Sequence, residues 1–498
     1  MATITDMLQS LAISALNADI LYKSILIKLE KAHLKAAKPL LAKKLYMEYT
    51  KYIHTQLSHL DSLCKGIFLL KELSPRVMDI IFSHGELFNN KLIYLLLSQS
   101  KIPVRFLDPT ELICTDNQYN NAKVDFETTN RNFKISFKSY KGISILPGFI
   151  GGTMDGTTRH TTTLGRGGSD YTAAIAGAAL QASHVIIYTD VDGVHTADPR
   201  KVKKTIPISD MTYSEAMEMS YFGAKVIYPP TIIPLYNKRI PLYIKNTFNT
   251  STSGTRISHD IIKSDYIIRG ISSIDSISLL TLSGSGMIGV SGTAARLFNA
   301  LASEHINVIL ITQSSSEHSI TFAIDPKDQS SAIKKLEREF KNEIAQNLIL
   351  PIQKIEQASI MAIIGENMHH TPGVSARLFQ ALARHGINII ATAQGSSELN
   401  ISIVLDRSQL NKALEVTHQS FFHKQIKVLN IFLVGTGLIG STLLKQIHEN
   451  ASYLLDNLNL QLRLIGIANS RKMHINADGL PWNMAKSLID NNDLPSLA

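Results

Sequence analysis

The first hundred residues place apolar side chains at helical spacing. In "MATITDMLQSLAISALNADI" and in "KLEKAHLKAAKPLLAKK" (Lys28 to Lys44), leucine, isoleucine and alanine recur between polar positions, which predicts amphipathic helices with a solvated outer face. The helical stretch closes on "PRVMDIIFSHGELFNNKLIYLLLSQS". From residue 102 to about 258 the period changes. Short apolar runs such as "GISILPGFI", "ASHVIIYTDVDGV" and "IPLYIKN" alternate with helical stretches such as "SEAMEMSYFGAKVI". Strands alternating with helices predict an α/β domain with a mainly parallel sheet covered on both faces. "NTFNTSTSGTRIS" (246–258) is rich in Ser, Thr, Asn and Gly and reads as a boundary.

An internal repeat follows. "ARLFNALASEHINVILITQSSSEHSI" begins at Ala295 and "ARLFQALARHGINIIATAQGSSELNI" at Ala376, so Arg296 and Arg377, Asn307 and Asn388, Gln313 and Gln394, and Glu317 and Glu398 all differ by 81 positions. A constant offset sustained over a whole supersecondary unit marks a duplicated module. Each copy reads as strand, helix, strand, turn, strand, and four-strand, two-helix units of this size predict two ferredoxin-like α+β domains. Pairing their sheets would bury the edges between them. The last segment restarts with the strand "VLNIFLVG", a loop, a helix and a second strand "LQLRLIGIANS", before "NNDLPSLA". One β-α-β unit cannot cover its own sheet, so this domain is expected to be partial.

Composition narrows the class. A chain of 498 residues is too long for one ordinary domain. The net charge of +9 comes from lysines spread along helix faces rather than gathered in a patch, which argues against nucleic acid and for steering of small anions. Two cysteines, Cys64 and Cys114, with no C-x-x-C pair, fit a reducing compartment and exclude a disulfide framework or thiolate zinc site. The N-terminus lacks a basic leader and carries Asp6 and Asp19 among its apolar residues. No apolar run reaches the roughly eighteen residues of a membrane span. A cytoplasmic protein, or one from an organelle, is expected. No H-E-x-x-H or G-x-S-x-G occurs, and no protein metal site is assigned.

Two glycine-rich runs carry the chemistry. "FLVGTGLIGSTLLKQI" satisfies G-x-G-x-x-G at Gly435, Gly437 and Gly440, between a strand and a helix. There the glycines permit a tight turn and bring a pyrophosphate to the helix N-terminus beside Leu438 and Ile439. A merely tight structural turn is the competing reading. The second strand ends in Ala468-Asn469-Ser470-Arg471 without an acidic residue for a ribose 2′-hydroxyl. Arg471 and Lys472 could instead meet a 2′-phosphate, which favours NADP over NAD. The other run, "LGRGGSD", sets Arg166 among glycines, with Ser169 and Asp170 just before the small-residue helix "YTAAIAGAAL". Amides, a hydroxyl and a helix N-terminus converge there on an anion, and Arg166 can fork a carboxylate or a phosphate. A flexible loop is the alternative. "YTDVDGVHTADPR" then puts Asp190 and Asp192 where a strand meets a loop, a pattern that a structural turn would also explain.

In order and spacing, "TTTLGRGGSDYTAA", "TDVDGVHTADPR" and "MSYFGAKVIYPPTI" closely resemble the aspartate kinases of the amino-acid-kinase superfamily. The paired repeats resemble their regulatory ACT domains, and "LVGTGLIGS…LRLIGIANSRK" resembles the start of homoserine dehydrogenase. The resemblance covers nearly the whole chain and points to the bifunctional aspartokinase–homoserine dehydrogenases. It implies a three-layer αβα kinase domain over 1–258, a linker and first ACT domain over 259–352, a second ACT domain over 353–428, and a partial Rossmann unit over 429–498. It also implies phosphorylation of the L-aspartate side chain with ATP and Mg²⁺. By resemblance Arg166 forks the α-carboxylate, Ser169 and Asp170 complete the pocket, and Glu86 in "HGELF" meets the ammonium. Thr189, Asp190, His195, Arg200 and Lys225 match nucleotide-binding positions, with Arg166, Asp190 and Lys225 as the catalytic set. His195 stands where the family has a tyrosine. Asn307, Gln313, Asn388 and Gln394 are expected near a domain interface to hold an amino-acid effector, threonine by resemblance, with homo-oligomers forming through the ACT domains. Amides that only satisfy strand edges would give the same pattern.

Two departures set further expectations. The family opens with a strand ending in Lys-Phe-Gly-Gly-Thr-Ser, whose lysine stabilises the transferring phosphoryl group, and that run is absent here. His84 replaces an arginine before Gly-Glu, and the catalytic part of a dehydrogenase does not follow "NNDLPSLA". The expectation is a fragment, a misplaced start or a decaying gene, with little kinase activity. A non-catalytic, amino-acid-sensing chain is the alternative function.

Overall fold

The computed structural model describes residues 2–490 apart from 101, 224–227, 261–263, 265, 315–317, 423–426 and 459. Lys225 and Glu317 therefore lie outside the described residues. Two compact units are present: Met1–Val374 with Ile387–Leu414, and Ser375–Gly386 with Glu415–Ala498.

The first unit begins with four helices, α1 (Ala2–Leu16), α2 (Tyr22–Ala37), α3 (Lys43–Leu70) and α4 (Pro75–Gln99). The Lys28–Lys44 segment does not stay one helix: α2 ends at Ala37, two residues before Pro39, which has no N–H to continue the hydrogen-bond ladder. Ser74 starts α4 by accepting from the Val77 amide, with Pro75 in the first turn. The four helices enclose a core that includes Leu8, Leu29, Ile53, Leu60, Ile81 and Phe88.

His33 and His84 sit in this bundle, each 2% exposed. His33 Nδ1 lies 3.3 Å from the Tyr49 hydroxyl, and His84 Nδ1 lies 2.7 Å from the Ile80 carbonyl oxygen. Burial lowers both imidazoles to about 4. Unfolded histidine takes its proton near pH 6.5, so the unfolded chain binds more protons between that pH and about 4. Stability is therefore full above about pH 6.5 and falls on acidification, by roughly 2–4 kcal/mol per histidine at pH 4. Denaturant midpoints measured from pH 7.5 to 4.5 should fall, and the slope should flatten in His33→Gln and His84→Gln. A slope equal to that of the unaltered chain would contradict the assignment.

After the bundle come β1 (Val104–Phe106), α5 (Pro109–Leu112), α6 (Phe126–Phe137) and β2 (Ile143–Ile145), with β1 parallel to β2. The hairpin β3 (Ile150–Asp155) and β4 (Thr158–Thr163) leads into α7 (Gly168–Ala179) and β5 (Val185–Thr189). Next are β6 (Asp210–Thr212), α8 (Tyr213–Tyr221), α9 (Pro229–Lys238), β7 (Leu242–Asn246) and β8 (Thr255–Ser258). Four of these strands make a sheet ordered β5-β7-β8-β6. β5 runs parallel to β7 and β6 to β8, but β7 and β8 are antiparallel. The stretch that looked like a boundary thus carries an inner strand of this sheet. Thr255, fully buried, donates to the Ile208 carbonyl and accepts from the Val194 amide, so its polar composition is satisfied inside.

The repeats build a second sheet. β9 (Gly270–Ser283), α10 (Thr293–Ser303), β10 (Val308–Gln313), β11 (Ser319–Ile324), α11 (Gln329–Glu339) and α12 (Lys341–Ala345) form the first copy. β12 (Gln353–Ile364), α13 (Val374–Ala383), β13 (Ala391–Gln394), β14 (Asn400–Asp406) and α14 (Leu410–Phe422) form the second. The sheet order is β10-β11-β9-β12-β14-β13. Each copy has three strands of its own rather than four. Its fourth is supplied by the partner copy's long strand: Gln353–Ile355 pair with Leu279–Thr281, and Ala358–Ile364 pair with Gly270–Ile277 across a register break. The two edges are joined, as the repeat predicts, and the apolar residues of β12 from Ile360 to Ile364 are buried while Ile355 stays exposed.

Helix α8 ties this sheet to the four-stranded sheet. Thr212 and Glu215 form a capping box at its start. Glu215, 1% exposed, also accepts from Arg269 Nε at 3.1 Å and from the Glu366 amide at 3.1 Å. Asn400 Nδ2 donates to Glu218 at 2.6 Å, and the Tyr221 hydroxyl donates to the Ile309 carbonyl at 2.8 Å.

In the second unit β15 (Lys427–Val434), α15 (Leu438–Leu458) and β16 (Leu460–Ala468) form the expected strand-helix-strand unit, with β15 and β16 parallel. β17 (Met473–Leu480) returns antiparallel to β16, and α16 (Ala485–Asp490) follows.

Candidate active site

A cavity of about 430 Å³ opens where α4, the turn before α7 and the N-terminus of α7 meet. Glu86, Arg166, Ser169 and Asp170 all line it, so the four substrate residues expected from the sequence come together. Glu86 reaches it because it lies on α4, where its Oε1 accepts from the Ser169 hydroxyl at 2.9 Å and its Oε2 from Asn90 at 3.2 Å. Burial raises the Glu86 carboxyl, against those two hydrogen bonds, and burial also raises Asp170. Two desolvated carboxyls gain most from a cation placed between them. Arg166 is exposed at the rim and has no protein partner among the described residues, leaving its fork free for an anion.

The glycines have a steric cause here. Gly167 caps α7 with φ of 70°, and a Cβ on it would lie 2.5 Å from the Tyr228 side chain. Any other residue there is both strained and obstructed. Two non-glycine residues of the wall also hold positive φ, Asn120 at 70° and Phe149 at 69°. Such backbone persists only where surroundings fix it. Phe149 is held by its amide donating to Thr172 Oγ1 at 3.0 Å and its carbonyl accepting from the Leu164 amide at 2.9 Å. Sequence reading missed Asn120, Phe149 and Thr163. "PGF" marks a turn at Phe149, but nothing local signals the other two.

A second cavity of about 720 Å³ shares no lining residue with the first. Thr189, Asp190, His195 and Arg200 line it together, as expected for the nucleotide set. Burial lowers His195, with Asp192 opposing, and its Nδ1 lies 2.9 Å from Thr205 Oγ1. Arg200 forks the Asp198 carboxylate at 3.0 and 2.7 Å, so a phosphate there competes with an internal partner. Its far wall belongs to β9: Ile271 to Asp275 line it, and Lys201 pairs with Asp275 and donates to Ser273 Oγ at 3.0 Å.

The expected effector amides lie at two strands, β10 and β13, that meet each other. Asn307 and Gln313 flank or end β10, Asn388 and Gln394 do the same at β13, and all four are exposed. β10 and β13 are the two end strands of the six-stranded sheet. In the dinucleotide run Gly435 has φ of 101° and donates to the Ala468 carbonyl at 2.8 Å. A Cβ on Gly440 would lie 1.9 Å from the Gly435 carbonyl oxygen, so the tight loop requires that glycine. Gly437 has open space around it, and Leu438 and Ile439 begin α15 exposed. Asn469 accepts from the amides of Arg471 and Lys472, both at 2.8 Å, which fixes the turn carrying the exposed Arg471.

Comparison with known proteins bears on both cavities. Residues 20–246 match the amino acid kinase family, and residues 280–340 and 361–421 each match the ACT domain. The chain is 36% identical to bifunctional aspartokinase/homoserine dehydrogenase 1, chloroplastic, of Zea mays, over 100% of this chain and 54% of that protein. It spans about half the length of the curated bifunctional relatives it matches. Aspartokinase III of E. coli in complex with aspartate and ADP (R-state) superposes with a TM-score of 0.71 at 26% identity, covering 85% of this chain and 92% of that one. The same enzyme with lysine and aspartate (T-state) gives 0.63 at 27%, covering 85% and 91%.

Proposed function

Since the chain belongs to the amino acid kinase family and carries paired ACT domains, we propose that it transfers the γ-phosphoryl group of ATP to the side-chain carboxylate of L-aspartate. The observation that carries this reading is the first cavity, where one free guanidinium faces two desolvated carboxyls and a helix N-terminus. That arrangement complements a zwitterion with a second carboxylate. Glu86 takes the ammonium, Arg166 forks the α-carboxylate, and Ser169 and Asp170 close the pocket. The similar aspartokinase III holds both aspartate and ADP.

The reaction requires little proton chemistry. The substrate carboxylate is already ionised, so it attacks the γ-phosphorus without a base. The bond from the γ-phosphorus to the bridging oxygen breaks, and ADP leaves with that electron pair. The products are 4-phospho-L-aspartate and ADP. The barrier is the approach of two anions, which positioning and positive charge reduce. Thr189, Asp190, His195 and Arg200 hold the nucleotide, Lys225 completes the catalytic set with Arg166 and Asp190, and Mg²⁺ arrives on the phosphates. Neutral His195 offers a ring to stack or a single donor.

The ACT pair serves as the regulatory part, taking an amino-acid effector, threonine in this reading, through Asn307, Gln313, Asn388 and Gln394, with self-association through the same domains. The loop at Gly435, Gly437 and Gly440 is read as a dinucleotide pyrophosphate site, with open space at Gly437 and the start of α15 directly after it. Arg471 suits the 2′-phosphate of NADP, a cofactor that supplies hydride chemistry. Isothermal titration of L-aspartate and of a non-hydrolysable ATP analogue should give one site each, with neither ligand displacing the other. Competition between the two for one site would contradict the reading.

A further inference from the structure

Asp79 lies on α4, two helical turns before Glu86, and its side chain is wholly buried. Its carboxylate collects donors from two distant stretches of chain. The Asn120 amide donates to both oxygens, at 3.1 and 3.0 Å. The Thr163 amide donates to Oδ2 at 2.9 Å, and the Thr163 hydroxyl to Oδ1 at 2.6 Å. Asn120 and Thr163 both line the first cavity, and Thr163 is the last residue of β4, three before Arg166. The two stretches also interlock directly. A Cβ on Gly165 would lie 2.7 Å from Asn121 Oδ1 and 3.2 Å from the Asn120 carbonyl oxygen.

From this geometry we propose that Asp79 is a positioning residue for the substrate site: it clamps the Asn120 loop and the β4 end onto α4, and so fixes Arg166 opposite Glu86. The proposal rests on the reading of this cavity as the aspartate site. Asn120 sits at a positive φ that its neighbours must enforce, and the only hydrogen bonds made by its amide go to Asp79 among the described residues. A carboxylate is all acceptor, so it can serve two amides and a hydroxyl at once. An asparagine presents one acceptor and one donor group, which turns an N–H toward an N–H. Without the clamp, the loop and strand end keep their sequence but lose their common anchor. Arg166 then samples many orientations, and its fork no longer meets Glu86 across a fixed gap. Asp79 touches no substrate in this arrangement.

The test is Asp79→Asn in the full chain, with Thr163→Val as a milder second variant that deletes only the hydroxyl donor. Aspartate affinity should fall by about tenfold to a hundredfold in Asp79→Asn. Thr163→Val should lose about three- to tenfold. Affinity for the ATP analogue should stay unchanged in both, because the second cavity shares no lining residue with the first. Amide hydrogen exchange should accelerate about tenfold or more in peptides covering 117–121 and 161–168 and nowhere else. Equal losses for aspartate and nucleotide, or unchanged exchange in those two peptides, would overturn the proposal. Should Asp79→Asn fail to fold, Thr163→Val decides by the same two readouts. If the unaltered chain binds no aspartate, the reading of the cavity fails, while exchange still decides whether Asp79 is the clamp.

Discussion

Arg166→Ala will weaken aspartate binding by about a hundredfold or more while leaving nucleotide affinity unchanged. A guanidinium that forks a carboxylate makes two charge-assisted hydrogen bonds, each worth about 1.5 kcal/mol or more. Losing both removes on the order of 3 kcal/mol, which is the factor stated. The loss is specific because Arg166 sits at the rim with no protein partner among the described residues, so its removal leaves the fold intact. Lysine should recover only part of the loss, since an ammonium cannot reproduce the planar fork. Titration of both variants with L-aspartate measures this. An Arg166→Ala chain that binds aspartate as tightly as the original would remove Arg166 from the site.

Glu215→Ala will destabilise the chain by about 3–5 kcal/mol, the cost of breaking one side of a buried ion pair. Three groups converge on this carboxylate, the Thr212 amide at 2.9 Å, Arg269 and the Glu366 amide. They come from the start of α8, from just before β9 and from just after β12. The alanine variant therefore leaves a capping box half made and two amides, one buried and one part-buried, with one acceptor fewer. Glu215→Gln should lose less, because it retains one acceptor oxygen and the packing volume. A denaturant midpoint unchanged in Glu215→Ala would show that α8 is held by other contacts. The same helix joins the kinase sheet to the ACT sheet, so the variant should also blunt any response of phosphoryl transfer to an ACT ligand.

What the sequence made legible is what has a local signature. The Gly-Arg-Gly-Gly-Ser-Asp run stood out because amides, arginine and a helix start are adjacent in the chain, and its residues line one cavity. The 81-residue offset announced two like modules. What stayed hidden depends on partners far apart. Asp79 meets Asn120 and Thr163 across 41 and 84 positions, and in sequence it is one more polar residue on an amphipathic helix. Glu215 is equally plain until Arg269 and Glu366 arrive. The 246–258 stretch hid a strand, β8, for a different reason. Its Ser, Thr and Gly content is that of a loop, yet Thr255 uses its hydroxyl to satisfy two buried backbone groups inside the sheet. Composition cannot show where a hydroxyl finds its partners. The lending of half-strands between β9 and β12 was hidden as well, since a long apolar strand reads the same whether it serves one repeat or two.

The central claim is that the cavity at Glu86 and Arg166 delivers a carboxylate to ATP, and trapping the acyl phosphate tests it most directly. The full chain is incubated with ATP, Mg²⁺ and hydroxylamine, and hydroxamate formation is followed with L-aspartate, with L-glutamate and with no amino acid. The account predicts hydroxamate that, even at a low rate, depends on L-aspartate, appears in step with ADP and is lost in Arg166→Ala. ATP binding without any aspartate-dependent hydroxamate, or a product unaffected by Arg166→Ala, would contradict it.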